Sequence, residues 1–306
     1  MQLASPMARE IVECVPNFSE GRRREVVDAI VSAISSVAGT KLLDVETDPS
    51  HHRAVVTFIG DRGSVAEAAF RAAKVAAERI NMEEHRGEHP RIGALDVLPF
   101  VPISGVTMED CVEIARTVGR RIAEELGIPV YLYEEAATRS DRRNLADLRK
   151  GEYEGLKEEI TTNPDRRPDF GPARLHPTAG ATVVGARPPL IAFNVNLATP
   201  DIGIAKKIAK AIRARDGGLQ YVKALGFELK DRGIVQVSMN MVNYRRTPLW
   251  KAFELIKAVA DRYGVAIVGS EIVGLVPLEA LVDSAEFYLK LETFKVNQIL
   301  ERRLWE

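Results

Sequence analysis

The segment His85-Arg86-Gly87-Glu88-His89-Pro90-Arg91 packs two imidazoles, two guanidinium groups and one carboxylate into seven residues. An imidazole titrates near neutral pH, so it is well suited to take a proton from one atom and deliver it to another. Pro90 fixes the backbone after His89, while Glu88 and Arg91 would pull the proton affinity of His89 in opposite directions. The same residues would also serve as a salt-bridged connector, and composition alone does not choose between the two. A metal reading exists as well, because His85-x-x-Glu88-His89 matches an inverted zinc-protease pattern. That chemistry needs both histidines on one helical face beside the glutamate. Gly87 weakens a helix and Pro90 disfavours helical backbone at His89, so no metal is expected.

Two further groups could join this turn. Asp44, Glu46 and Asp48 alternate along an apolar run, which puts three carboxylates on one face of a strand. Beside His89 a pair of them would orient or charge the imidazole; elsewhere they are a solvated edge. The stretch Pro168-Asp169-Phe170-Gly171-Pro172-Ala173-Arg174-Leu175-His176-Pro177-Thr178-Ala179-Gly180 is the other group. Its glycines permit close backbone approach and its prolines lower the entropy lost on ordering, so its amides could bind the edge of a flat heterocycle. It could equally be a linker. Gly217-Gly218 and Gly269-Ser270 lack the spacing and the lysine of a nucleotide cradle.

The elements that must position these residues follow from periodicity. Strand patterns fall near residues 11–15, 41–45, 54–59 and 95–101, with helical spacing at Val26, Val27, Ile30, Val31 and Ile34 and again over 65–80. The order is βαββαβ. Thr107-Met108-Glu109-Asp110 caps a further helix, a strand follows at 129–133, and 144–160 is an interrupted helix. Residues 161–180 leave no room for a regular element. The βαββαβ order then returns, with strands near 190–197, 222–229, 234–241 and 265–268 and helices opening at Asp201 and Pro248. The expected fold is α+β: two ferredoxin-like βαββαβ sandwiches with antiparallel or mixed sheets. The expected domains are 1–189, carrying His89 and the 171–180 loop, and 190–306.

Composition narrows the function. The 306 residues hold 42 Lys and Arg against 43 Asp and Glu, so no global basic field points to nucleic acid. The two cysteines, Cys14 and Cys111, cannot build a disulfide framework. No apolar run reaches the ~18 residues of a membrane span, and the first ten residues do not read as a signal peptide. The expectation is a soluble, cytoplasmic, globular protein with neither nucleic acid nor membrane as partner.

Four stretches together resemble a known family. They are Val12-Glu13-Cys14-Val15-Pro16-Asn17-Phe18-Ser19-Glu20-Gly21, Gly87-Glu88-His89-Pro90-Arg91-Ile92-Gly93-Ala94-Leu95-Asp96, Pro168-Asp169-Phe170-Gly171-Pro172, and Val273-Gly274-Leu275-Val276-Pro277-Leu278. In that order they resemble the glutamate formimidoyltransferases. The resemblance implies transfer of a formimino group from N-formimino-L-glutamate to N5 of tetrahydrofolate, a co-substrate, during histidine breakdown. It also implies two α/β subdomains with the ligand between them, commonly in a homodimer, with no metal. His89 falls on the family's catalytic histidine. The folate loop falls on Gly171, Pro172, Ala173, Arg174, Leu175, His176, Pro177, Thr178, Ala179 and Gly180. Vertebrate relatives carry a fused cyclodeaminase, an activity not expected here. The sequence departs from the family pattern twice: His52 stands where an asparagine is expected before Arg53, and Ala173-Arg174-Leu175-His176 differs within the loop.

The two readings converge on one mechanism. N5 of tetrahydrofolate attacks the formimino carbon; His89 takes the N5 proton and then protonates the departing glutamate nitrogen. Glu46 and Glu88 are candidates to support His89, and Arg53, Arg91 and Arg187 to hold substrate carboxylates. Alternatives are an enzyme acting on formiminoglycine or 5-formyltetrahydrofolate, and a non-catalytic folate-binding protein.

Overall fold

The computed structural model describes residues 10–303, apart from Glu88 and the side chain of Arg302. The chain divides into two compact units, Met1–Arg187 and Pro188–Glu306. The first contains β1 (Ile11–Cys14), β2 (Asn17–Phe18), α1 (Arg24–Ser35), β3 (Lys41–Asp48), β4 (Arg53–Gly60), α2 (Arg62–Arg79), β5 (Leu95–Ser104), α3 (Met108–Leu126), β6 (Val130–Glu134), α4 (Leu145–Leu148), α5 (Glu152–Glu159) and β7 (Thr182–Ala186). Its sheet runs β3, β4, then β1 and β2 sharing one lane, then β5, β7 and β6. Pro16 splits that shared lane because it has no N–H to give, yet its carbonyl still accepts from the Val56 amide.

Sequence-local rules explain the helices. Asp61 accepts from the amides of Gly63 and Ser64 to start α2, and Thr107 with Asp110 closes a capping box on α3. Gly127, with φ of +68°, ends α3 in the left-handed region that glycine enters without strain. α1 buries Val26, Val27, Ile30 and Ile34 against the sheet, as their helical spacing requires. The main core lies between the sheet and α1, α2 and α3, around Phe18, Phe58, Phe100 and Ile122.

A second cluster gathers Tyr131, Tyr133, Leu148, Leu156 and Val183, so β6 and β7 contribute to clusters on both sides. This accounts for β7, which the sequence reading missed. Residues 182–186 pair in parallel with both β5 and β6, and all five are buried. A strand buried on two faces shows no alternation, and this one is short and follows a run of loop residues. The 171–180 loop is therefore not a linker between units: it leads into a strand of the first unit's own sheet.

The second unit holds β8 (Ile191–Leu197), α6 (Ile202–Ile212), β9 (Val222–Leu229), β10 (Ile234–Met241), α7 (Leu249–Asp261), β11 (Ile267–Val273) and α8 (Leu278–Leu289). Its sheet is antiparallel, in the order β11, β8, β10, β9. Phe193, Val195, Val237 and Met239 face a core shared with Ile208 and Ile256. In each unit, two helices and four strands follow the strand-helix-strand-strand-helix-strand order read from periodicity.

Candidate active site

Two tight turns build the site by pressing together. The turn between β3 and β4 holds His51 and His52, and Arg53 opens β4 opposite Asp48. The other is the connecting segment ahead of β5, described at His85 to Gly87 and His89 to Arg91. Gly87 is where they meet: a Cβ there would lie 2.5 Å from the His51 carbonyl oxygen and 2.8 Å from the His52 Cβ. Asp48 steadies the first turn, accepting from the amides of Ser50 and His51 and from the His51 ring at 2.6 Å. His52 has a φ of +52°, a region enriched in asparagine and histidine among non-glycine residues. The departure from the expected asparagine is thus tolerated by backbone geometry.

The side chains then sort into two charge systems. His89 Nε2 sits 2.7 Å from Arg53 Nη1. A guanidinium can only donate, so Nε2 is the acceptor and the ring proton is on Nδ1. Burial, followed by the charges of Arg53, Arg149 and His51, depresses the His89 pKa to about 3. The imidazole is neutral at pH 7. Arg149 is itself paired with Asp96, whose other carboxylate oxygen accepts from the Ile92 amide at 2.8 Å. Among the described residues, the buried Nε of Arg149 has no hydrogen-bond partner.

His85 belongs to the second system. Its Nε2 donates to the His52 carbonyl at 3.0 Å and its Nδ1 accepts from Arg91 Nε at 3.3 Å. Both ring nitrogens are engaged, and the described residues from His85 to His89 lie outside any helix, so the zinc-motif geometry does not form. Arg91 is bound by Glu152 at 2.9 Å and by Glu154 at 2.7 Å. Its fork is committed, which removes it as a free holder of substrate carboxylate.

Other expected residues fall nearer or farther. Glu46 lies opposite Val55 in the β3–β4 ladder and reaches the site through its charge on Arg53. The Arg187 amide donates to the Phe100 carbonyl at 3.1 Å, and its side chain lies with Tyr133 and Glu13 rather than lining the His89 recess. Glu88 lies outside the described residues. Sequence reasoning passed over Glu20, Asp96 and Arg149. The Glu20 side chain is fully buried and accepts from the amides of Arg22 and Arg23 at 2.9 Å. Burial alone would raise its pKa, but those amides and the Arg23 guanidinium hold it below the usual carboxylate value. Its signal was the acidic residue just before α1. Asp96 and Arg149 had none, because they meet across 53 residues.

The 171–180 loop is fastened beside this recess. Ala94 donates to the Ala179 carbonyl, Ala181 to that of Ile92, and Met82 to that of Thr178. Its two halves differ. His176 and Gly180 exchange backbone hydrogen bonds, and the amides of Thr178 and Ala179 both point to His176 Nδ1. Among the described residues, the amides of Gly171, Ala173, Arg174 and Leu175 have no such partner.

A neutral, half-buried imidazole beside cationic groups is suited to exchange a proton next to a bound anion. Family comparison gives the class a name. Residues 11–187 match the formiminotransferase domain, N-terminal subdomain, and residues 192–303 match the formiminotransferase domain. The chain belongs to this family. It is 54% identical to glutamate formimidoyltransferase of Streptococcus pyogenes serotype M1, covering 96% of this chain and 99% of that one. It is 56% identical to the protein of the same name from Thermoplasma acidophilum, over 96% and 97% of the two chains. It is also 48% identical to the formimidoyltransferase-cyclodeaminase of Sus scrofa, spanning 94% of this chain and 54% of that protein. Among the described residues no helix is long and apolar enough to cross a membrane.

Proposed function

We propose that this protein is a glutamate formimidoyltransferase, moving the formimino group of N-formimino-L-glutamate to N5 of tetrahydrofolate. Similarity along nearly the whole chain to two proteins of that name supports the activity. The observation that carries the assignment of residues is the 2.7 Å contact between a neutral imidazole and a guanidinium at His89 and Arg53. N5 attacks the formimino carbon of the protonated amidine, and the N5–C bond forms as the C=N π pair withdraws onto the imino nitrogen, to return when the glutamate nitrogen leaves. His89 Nε2 accepts the proton that N5 loses. The same proton then goes to the glutamate nitrogen as its bond to carbon breaks, giving glutamate and 5-formiminotetrahydrofolate. A proton shuttle of this kind contributes roughly 10²–10⁴ in rate.

Arg53 is the favoured holder of a donor carboxylate, since a guanidinium binds a carboxylate through two parallel hydrogen bonds. Arg187 is a second candidate. The 171–180 loop is the folate contact, made through the amides of Gly171, Ala173, Arg174 and Leu175 rather than through side chains. No metal is assigned a role. Each unit is read as a ferredoxin-like frame, and the protein as a cytoplasmic homodimer. The test is an assay of 5-formiminotetrahydrofolate formation with glutamate and glycine donors side by side. Turnover of the glutamate derivative is expected; exclusive use of the glycine derivative, or of neither, overturns the assignment.

A further inference from the structure

A base must present a lone pair, and the lone pair of His89 is occupied. Nε2 accepts from Arg53, and the ring's other nitrogen carries the proton. The recess lined by Phe18, Ser19, His89 and Asp96 is narrow, which leaves little room for a separate proton acceptor beside the ring. In this arrangement the tetrahydrofolate N5 proton has nowhere to go.

Arg53 itself is unusual among the less exposed arginines of this unit. Arg91 pairs with Glu152 and Glu154, Arg142 with Asp169 at 2.7 Å, and Arg149 with Asp96. Among the described residues Arg53 has no carboxylate within ion-pair distance. Asp48, Asp96 and Glu46 influence it only through their charge, and Arg149 opposes them. Its sole side-chain partner among those residues is a neutral ring, a weaker acceptor than a carboxylate. Among the described residues the buried Arg149 Nε also lacks a hydrogen-bond partner.

We propose that Arg53 gates His89: before substrate binds, its guanidinium occupies the Nε2 that must take the proton, and a carboxylate of the incoming donor draws it away. The inference rests on the assignment of His89 and Arg53 above and adds an order of events. Donor binding exposes the base, so proton transfer waits for the substrate. Arg53 is then a positioning residue that acts through His89. Moving a cation away from an imidazole also raises its pKa toward the ordinary value, which improves it as a base at neutral pH. Among the described residues, the charges that act on His89 come from Arg53 of β4, His51 of the preceding turn and Arg149 beyond α4, with Asp96 of β5 paired to Arg149.

The test is ¹⁵N-histidine NMR of the wild-type protein, with the His89 signal assigned by its loss in His89→Gln. The probe is N-formyl-L-glutamate, which has the donor's two carboxylates but an unreactive carbonyl. Without it, His89 should stay neutral and untitrated from pH 8 down to pH ~5. With saturating probe it should titrate inside that window, an upward shift of about two units or more. Failure to titrate with the probe overturns the gate, whether or not other signals move; so does titration in that window without it. Arg53→Met gives an independent arm: burial still holds the His89 pKa down, but in the folded variant the His89 titration should lie at higher pH than in the wild type without probe, and an unchanged titration overturns the proposal. Undiminished turnover by His89→Gln would remove the acid/base assignment yet leave these titrations standing, so the two failures are distinguishable.

Discussion

Arg53 and Arg91 both contact a histidine in one recess, and they end in opposite states. Arg91 donates to His85 Nδ1 while two carboxylates hold its fork, and His85 keeps its proton on Nε2 for the His52 carbonyl. Arg53 donates to His89 Nε2, no carboxylate of the described residues holds it, and His89 keeps its proton on Nδ1. The paired arginine fastens residues 61 and 63 positions apart in the chain and is structural. Arg53 has, among the described residues, only a neutral ring as side-chain partner, which leaves it the better candidate to bind an anion. Charge balance, more than proximity to a histidine, separates the framework from the site.

The comparison can be broken first by removing each arginine. Arg53→Met should lower kcat/KM for formiminoglutamate roughly 10–10²-fold, the worth of hydrogen bonds to a charged group, measured under steady-state conditions. Arg91→Met should change kcat/KM far less. The reverse result would exchange the two roles. A second break concerns stability. Glu152→Gln with Glu154→Gln strands the Arg91 guanidinium, at a cost of ~2–4 kcal/mol, toward the low end because both carboxylates are partly solvated. Urea unfolding measures it, and an unchanged midpoint would show that the pair contributes nothing.

A smaller effect sharpens the electrostatics. His52, His85, His89 and His176 all have pKa values lowered chiefly by burial. The unfolded chain takes up these protons near the ordinary histidine pKa of about 6.5, and the folded chain only at lower pH. Stability should therefore fall as pH drops below about 6.5, continuing toward about 3 where His89 itself protonates. Unfolding curves between pH 7.5 and pH 5 test the sign; stability that rises on acidification contradicts it. The smallest effect is in the loop. A stable reduced folate should slow hydrogen exchange at Ala173, Arg174 and Leu175, and change little at Ala179 and Gly180, whose amides are already bonded. Protection confined to 179–180 would reassign the contact.

Much of this was legible in sequence because it is local. Thr107 with Asp110, Asp201 before α6, and the spacing of Val26, Ile30 and Ile34 each act within a few residues, and the structure follows them. The His85 to Arg91 turn stood out for the same reason. What was hidden is long-range. β7 shows no alternation because it is buried on both faces, and the Asp96–Arg149 pair joins a strand to a helix end far along the chain. One expected tuning partner of His89 goes elsewhere for this reason too. Arg91, its sequence neighbour, turns to His85, while the cation on His89 comes from a residue 36 positions earlier.

The central claim is that His89 moves the proton. Single-turnover formation of 5-formiminotetrahydrofolate by His89→Gln, with folding and folate binding verified on the same sample, tests it most directly. A fall of roughly 10²–10⁴ in the rate of the chemical step, with reduced-folate affinity nearly unchanged, is the predicted result. A folded variant that turns over at close to the wild-type rate would contradict it.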